Sequence, residues 1–286
     1  MATSAPQPAP WRDTFLSHLE KLKSPSFTLS TLHPVDPSSS SASNGFKFTP
    51  RARTVIYRGM WASLPVNPKN TAELNPEGVY ESDLLTITSD ARMEKIPELF
   101  KSQASEKQDK DTQSGQGGPF EAVFWIEETN TQWRIRGNAL IVGPDIDAPS
   151  SSSTRDALEH HMRPVHSASF SSSSDPQPPF SFTRELTAHF GNLSPGMRGS
   201  FRNPPPGTPL KDVPTEELKK SGLALGQKVE KLDDEVARKN FRVVVLVPEE
   251  VDRVDLTNPD EGKRWNYKLE DGGRETRTWT VTELWP

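Results

Sequence analysis

The order of apolar and polar residues along the chain predicts many short β-strands. Runs of β-branched and aromatic residues, bounded by Gly, Pro, Ser or Asn, mark each of them. Most runs follow one another closely, which favours pairing between neighbours in sequence. We therefore expect a mainly β fold, an antiparallel barrel with peripheral helices, rather than a βαβ fold. The predicted strands are 26–32, 52–58, 83–88, 120–126, 132–142, 241–247, 265–269 and 276–284.

Helical periodicity is limited to three segments. Residues 11–23 carry apolar side chains at helical spacing, and residues 183–190 have the same character. A third helix is predicted from Ala91 to Phe100, with Ser89 or Asp90 as its N-terminal cap. These helices are expected to pack against the β-structure.

The composition indicates that part of the chain does not fold. Apolar residues make up only 32% of the 286 residues, and there are 27 prolines and several serine runs. An ordinary globular domain has roughly 45–50% apolar residues. We predict a disordered tail at 1–9 and a single domain at 10–286, with low-complexity insertions at 102–118 and 147–179. Three histidines in the second insertion are expected to lie in a flexible segment and not to bind a metal.

Charge and cysteine content exclude several function classes. The formal net charge is −5 and the pI about 5.8, which argues against a nucleic-acid partner. The absence of cysteine excludes disulfides, thiolate metal sites and a cysteine nucleophile. No apolar run approaches the roughly 18 residues that span a bilayer, and the first residues lack the features of a signal peptide. We expect a cytoplasmic protein without a membrane partner.

One segment contradicts the acidic average. No carboxylate occurs between Asp36 and Glu73, whereas five basic residues do, among them Arg53 and Arg58 in and beside a predicted strand. Buried guanidinium groups need hydrogen-bond acceptors, and a bound phosphate or the edge of a cofactor would supply them. Further along, Arg92 and Lys95 lie near a predicted helix N-terminus, where exposed N–H groups favour an anion. Ordinary surface charges on that helix are the alternative.

The sequence has no phosphate-binding loop, dinucleotide fingerprint, zinc-protease motif or serine-hydrolase elbow. Five other elements stand out in order along the chain. They are PRARTVIYRG (50–59), TSDARMEK (88–95), FWIEETNTQWRIRG (124–137), LSPGMRGSF (193–201), and the ending from FRVVVLVPEEVDRVDL (241–256) through RWNY (264–267). Together, over most of residues 11–286, they resemble the pyridoxamine 5′-phosphate oxidase family and its FMN-binding split-barrel relatives. The similarity is greatest to the subgroup found in cyanobacteria, plants and fungi.

The resemblance implies a split barrel that binds FMN at the interface of a homodimer. By position, Arg53 and Arg58 would bind the flavin phosphate or the ring edge. Gln132 would reach the isoalloxazine from the neighbouring subunit, and Arg264 would be a late flavin contact. The residues implied for the phosphate are Thr88, Arg92 and Lys95.

Departures from the family pattern concern the substrate. Of the C-terminal Arg-x-His-x-Arg segment of the oxidase, only the last arginine remains, as Arg264, and Val254 stands where the oxidase has tryptophan. Without these groups, the charges of a vitamin B6 phosphate would be unpaired. We expect a flavin-dependent oxidoreductase acting on an unidentified small molecule, with no catalytic side chain assigned. The alternatives are a non-enzymatic module that binds FMN or another phospho-ligand, and retained pyridoxamine phosphate oxidation.

Overall fold

A computed structural model describes residues 7–36, 38, 44–102, 113–165, 179–216, 227–270 and 277–286. Most of the regular structure in these residues is β. The strands are β1 (Ser26–Pro34), β2 (Phe48–Ile56), β3 (Gly59–Met60), β4 (Tyr80–Ser82), β5 (Leu85–Asp90), β6 (Gly115–Ile126), β7 (Thr131–Val142), β8 (Met162–Pro164), β9 (Phe241–Asp255), β10 (Lys263–Glu270) and β11 (Thr278–Leu284). The α-helices are α1 (Arg12–Leu19), α2 (Lys95–Ser102), α3 (Ser152–His160), α4 (Phe182–Gly191), α5 (Pro195–Ser200) and α6 (Glu235–Asn240).

All strand pairs among the described residues are antiparallel. The main sheet runs β11-β10-β9-β7-β6-β1-β2, with β5 added to β9 and β3 added to β5. Three hairpins, β1–β2, β6–β7 and β10–β11, join neighbours in sequence, as the pattern predicts. The antiparallel fold with peripheral helices is confirmed, although the hydrogen-bonded path through the described strands does not close into a ring.

Two hydrophobic cores lie on opposite faces of β9. The first contains Phe15 of α1, Phe124 of β6 and Trp133 of β7, whose rings meet edge to face. The second contains Trp61 and Phe190 of α4. Residues of β9 alternate between the two cores, which explains why its first half is apolar at nearly every position.

Helix α2 begins later than predicted. The sequence suggests a start at Ala91, but the helix runs from Lys95, and a turn held by Asp90 precedes it. Pro97 gives the physical reason. Proline has no backbone N–H to donate, so it is tolerated in the first turn of a helix but not in its interior. Lys95 is therefore the first helical residue, and Arg92 precedes the helix.

Three predicted irregular segments are shorter than the sequence suggests. In the predicted tail, Ala9 is buried and its N–H donates to Asp83 at 3.0 Å. In the predicted insertion at 102–118, residues 103–112 lie outside the described residues, but β6 begins at Gly115.

In the predicted insertion at 147–179, residues 166–178, including His166, lie outside the described residues, whereas 149–164 contain α3 and β8. Burial of Leu158 and Met162 in the second core orders this part, as do ion pairs from Arg163 to Glu81 and Asp83. The described residues contain no group of three side chains placed to hold a metal ion. None of the described helices combines the length and apolar character required to cross a membrane.

Candidate functional site

Five of the seven residues predicted to bind a cofactor gather where β5 ends and α2 begins. Strand β3 pairs with β5 and brings the preceding Arg58 to that strand, and the turn after β5 leads into α2. The side chain of β2 residue Arg53 reaches α2 from the other direction. We call this set the basic corner: Arg53, Arg58, Thr88, Arg92 and Lys95.

Lys95 is a buried cation without a carboxylate partner. Lys95 is only 6% exposed. Its Nζ donates to Ser89 Oγ at 3.2 Å and contacts Met93 Sδ at 3.1 Å. No described carboxylate lies within ion-pair distance of Nζ. Burial lowers the pKa of Lys95 to about 8; the Arg53 charge adds to this effect, and Asp90 and Glu98 oppose it. A buried ammonium group without a counter-ion is stabilised when an anion binds next to it.

Arg58 also lacks a carboxylate partner among the described residues. Its Nε donates to Thr88 Oγ1 at 3.3 Å, and burial lowers its pKa. Arg58 lines an open cleft of about 440 Å³ whose walls include Leu16, Tyr57 and Met60. We call this cavity the Arg58 cleft. Its lining also includes Glu20 and Arg12, but Arg12 already pairs with Glu81 and Asp83. Largely apolar walls with Arg58 as the forked cation that has no carboxylate partner suit a flat ring with acceptors at its edge.

Lys95 and Arg58 approach β5 from different sides. Lys95 bonds to Ser89 and Arg58 to Thr88, and successive side chains of a strand project to opposite faces. The corner therefore offers two distinct positions for acceptor groups, one on each side of the strand.

Arg53, in contrast, already has an anionic partner within the protein. Its Nη2 lies 2.5 Å from Oε2 of Glu98 on α2, a residue only 1% exposed. Burial alone would raise the pKa of Glu98, but hydrogen bonds with Thr31 and His33 and the Arg53 charge outweigh it, so the pKa lies below its usual value. The acceptor that the sequence analysis sought in a bound ligand is supplied here by Glu98.

Arg92 also forms its hydrogen bonds within the protein. Its Nε and Nη2 donate to the two carboxylate oxygens of Asp90 at 2.9 and 2.6 Å. The guanidinium also donates to the backbone oxygens of Phe201 and Asn203. Arg92 thus joins the turn before α2 to the segment after α5, with little donor capacity left for a ligand.

Gln132 and Arg264 lie on the outer face of the sheet, apart from the basic corner. Both are in register with Val254 of β9, and the same rung carries Trp125 and Leu284. Arg264 Nε lies 3.0 Å from Asp252, so this predicted flavin contact also has an internal partner.

The separation between the two groups is large. Thr88 pairs with Val243 and Gln132 with Val254, so the two partners are 11 positions apart along β9. At about 3.3 Å per residue, this corresponds to roughly 36 Å along the strand. One mononucleotide does not bridge that distance within one chain.

Sequence reasoning did not identify Glu98 as part of the corner. The helical pattern gave no signal, because Glu98 lies about 160° around α2 from Ile96 and about 100° from Leu99, yet it is only 1% exposed. A buried charged residue requires a partner, and here the partner is Arg53.

Comparison with known proteins agrees with this geometry. Residues 8–143 match a family model described as pyridoxamine 5′-phosphate oxidase, FMN-binding domain. This segment, a little under half of the chain, is therefore similar to the pyridoxamine 5′-phosphate oxidase-like family. The family expected from the sequence is confirmed, and the segment contains the basic corner together with Gln132.

Two relatives extend the similarity beyond this segment. A solved structure of a pyridoxamine 5′-phosphate oxidase-related, FMN binding protein from Nostoc punctiforme has a TM-score of 0.58 at 18% identity, and the match covers 98% of this chain and 100% of that one. An uncharacterized Saccharomyces cerevisiae protein, YGR017W, is 24% identical over 282 residues, covering 83% of this chain and 88% of that protein. At such identity, the solved structure establishes a shared fold over nearly the whole chain.

Proposed function

We propose that this oxidase-like protein is a cytoplasmic FMN-binding flavoprotein whose cofactor phosphate pairs with Lys95. The observation that carries the proposal is a buried ammonium group with no counter-ion among the described residues. A phosphate dianion would neutralise this charge and accept its free hydrogen bonds. The match of residues 8–143 to a family model described as an FMN-binding domain supports the choice of ligand.

The other residues of the basic corner fit the same ligand in different roles. Arg58 offers its terminal donors to the flavin edge from within an apolar cleft, and Thr88 orients it through Nε. Arg53 fixes α2, and with it Lys95, through the ion pair to Glu98. Arg92 holds the turn before α2 through Asp90.

The proposed activity is that of a flavin-dependent oxidoreductase acting on a small molecule. When bound, the flavin supplies reversible hydride or electron transfer, and the protein contributes binding, orientation and electrostatics. No residue of the basic corner is needed as an acid or base for that transfer. We therefore assign binding roles to these side chains and no catalytic residue.

The full site requires two copies of the chain. Gln132 and Arg264 are too far along β9 from Lys95 to contact the same FMN, so they would reach the flavin of a partner subunit. The face that carries them also exposes apolar side chains. Trp125 is 50% exposed and Leu284 38%. An exposed aromatic and aliphatic patch around polar ligand-binding residues is typical of an interface.

Replacing Lys95 by methionine is expected to weaken FMN binding about 10- to 100-fold, because one charge-assisted contact contributes roughly 1.5–3 kcal/mol. The wild-type affinity should itself depend on pH. Since the pKa of Lys95 in the FMN-free protein is about 8, the charged form predominates below pH 8 and is lost above it. If only the ammonium form pairs with phosphate, affinity is about tenfold lower at pH 9 than at pH 7. Titration of flavin fluorescence with protein measures both effects.

Two controls accompany this prediction. Lys95→Arg keeps its charge at pH 9 and should remove the pH dependence. The FMN-free Lys95→Met protein should be at least as stable as wild type, because a buried charge has been removed, so weaker binding cannot reflect unfolding. Wild-type protein that binds no FMN, or equal affinity in Lys95→Met, would exclude Lys95 as the phosphate ligand.

Substitution Trp125→Glu is expected to convert a dimer into a monomer. Light scattering of the wild-type protein should give twice the 31.9 kDa of one chain. In the dimer, the glutamate would be buried in an apolar interface without water or a partner to compensate its charge. This cost should make the dimer dissociate. Leu210→Glu is the matched control because Leu210 is also exposed, at 60%, but belongs to a short 3₁₀ helix and not to a strand of the sheet. A wild-type monomer, or two variants of equal mass, would contradict the proposed interface.

A further inference from the structure

A second cleft adjoins the Arg58 cleft on the side of α4. It has a volume of about 630 Å³ and shares Ser63 and Pro65 with the Arg58 cleft. Its charged lining is of one sign. The described lining residues include Glu77, Glu81 and Glu185 but no lysine, arginine or histidine. We call it the acidic cleft.

Glu185 is the residue that distinguishes this cleft from a solvated acidic surface. It is only 5% exposed, yet it lines the cavity. Its Oε1 accepts the backbone N–H of Ala62 and its Oε2 accepts Asn75 Nδ2, both at 3.1 Å. A carboxylate can accept about four hydrogen bonds, so about half of its capacity remains. No lysine or arginine among the described residues lies within ion-pair distance.

The neighbouring side chain is also unsatisfied. His189, one helical turn further along α4, is 1% exposed, and neither ring nitrogen has a hydrogen-bond partner among the described residues. Its Nε2 is 3.8 Å from Glu185 Oε1, and its ring stacks on Trp61. Burial lowers the pKa of His189 to about 3, assisted by the charge of Arg58, so the imidazole is neutral. A neutral imidazole next to Glu185 can accept a hydrogen bond but does not neutralise a carboxylate.

The backbone beneath Glu185 is strained. Ala62 has a φ of 65°, a left-handed conformation that costs a residue with a side chain roughly 1–2 kcal/mol. In this conformation the Ala62 N–H donates to Glu185. Asn75 secures the other side, because it bonds to both the N–H and the oxygen of Ser181 as well as to Glu185. The protein thus holds this carboxyl group in one place at some cost.

We propose that the acidic cleft binds a small organic cation whose ammonium group pairs with Glu185. An ammonium supplies both the missing positive charge and donors for the free acceptor sites of the carboxylate. The volume of the cleft is in the range of small-molecule sites. Glu81 contributes less, because Arg163 already pairs with it at 2.7 Å. Because the cleft adjoins the Arg58 cleft, such an amine would also be the substrate class for the flavin; that last step rests on the proposed function, whereas the binding itself does not.

The charged groups around Glu185 indicate how binding depends on pH. Burial raises the pKa of Glu185, against the effects of Asn75 and the Ala62 N–H. His189 on the same helix is neutral, and the positive charge of Arg58 is close enough to lower the pKa of His189 further. Glu77 and Glu81 face the same cavity and favour a cation further. Cation binding should therefore release a proton from Glu185, and the affinity should increase as pH rises.

Two matched sets of probes test the proposal on the full-length, FMN-free protein. One set is tyramine, tyrosol and 4-hydroxyphenylacetate; the other is hexylamine, hexanol and hexanoate. Within each set, the compounds differ mainly in the ammonium, hydroxyl or carboxylate group. Isothermal titration calorimetry should give at least tenfold tighter binding for one of the amines than for its alcohol and acid. Repeating the titration in buffers of different ionisation enthalpy should reveal release of a proton.

Variants assign the effect to one residue. Glu185→Gln keeps the shape of the side chain and should lose at least tenfold in amine affinity together with the proton release. Glu73→Gln is the control, because Glu73 lies outside the cleft and pairs with Arg184. Equal binding within both probe sets, no amine binding, or unchanged binding in Glu185→Gln would overturn the proposal. The wild-type comparison stands even if a variant does not fold, and no readout depends on FMN.

Discussion

Arg53→Ala is expected to reduce the free energy of unfolding by about 3 kcal/mol. The substitution leaves Glu98 buried with only Thr31 and His33 as partners. Removing one member of a buried ion pair typically costs 3–5 kcal/mol, and the lower end applies here because the Arg53 side chain is 22% exposed. Urea unfolding followed by circular dichroism measures the loss. Arg51→Ala, on an exposed position of the same strand, should change the stability by less than about 0.5 kcal/mol.

A double variant distinguishes a structural role of Arg53 from direct contact with FMN. In Arg53→Met/Glu98→Met, both charges of the pair are replaced by apolar groups, and much of the stability lost in Arg53→Ala should return. If the double variant binds FMN as tightly as wild type, Arg53 acts by holding α2 and Lys95 in place. If the double variant is stable but does not bind FMN, Arg53 contacts the phosphate directly. An Arg53→Ala protein as stable as wild type would contradict the ion pair itself.

The hairpins could be predicted because each depends on residues that are close in sequence. The turn between β6 and β7, for example, has Asn130 in a left-handed conformation, which asparagine tolerates. The pairing of β4 with β8 could not be predicted in this way. Tyr80 lies opposite Pro164, and three-residue strands are too short to show a periodicity. Arg163 holds this pair through Glu81 and Asp83, a contact that only the folded chain reveals.

The basic residues of the site could be found from the sequence. Which of them have an acidic partner within the protein could not be predicted. Arg53 and Lys95 look alike in a list of cations, yet Arg53 is neutralised by a glutamate 45 positions away and Lys95 has no such partner. Glu185 was missed for the same reason. It lies on the buried face of α4, between Phe182 and His189, where a helical pattern calls for apolar residues. A charged residue at such a position is the sequence signal for an internal partner or a ligand.

Gly137→Ala is expected to destabilise the protein by about 3 kcal/mol, at the upper end of the cost of overpacking. A Cβ atom added at Gly137 would overlap the backbone oxygen of Val247 on β9. Backbone atoms in the middle of a sheet cannot move aside as a flexible side chain can. Thermal or urea unfolding measures the effect. Gly196→Ala in α5 is the control, because an added Cβ meets nothing within 4 Å there, and alanine favours a helix by up to about 1 kcal/mol.

The size of this effect follows from the position of Gly137 at a β-bulge. The register of β7 with β9 shifts between Arg136 and Gly137, so one extra residue of β9 is accommodated there. Before the bulge, Val244 and Leu246 face the first core, and after it Val251 does, so inward positions change from even to odd numbers. Without the shift, Glu250 would replace Val251 opposite Ile135 and face the core. Gly137 therefore keeps Glu250 and Asp252 on the outer face with Gln132. An alanine variant of unchanged stability would show that the strands can pair without this close approach.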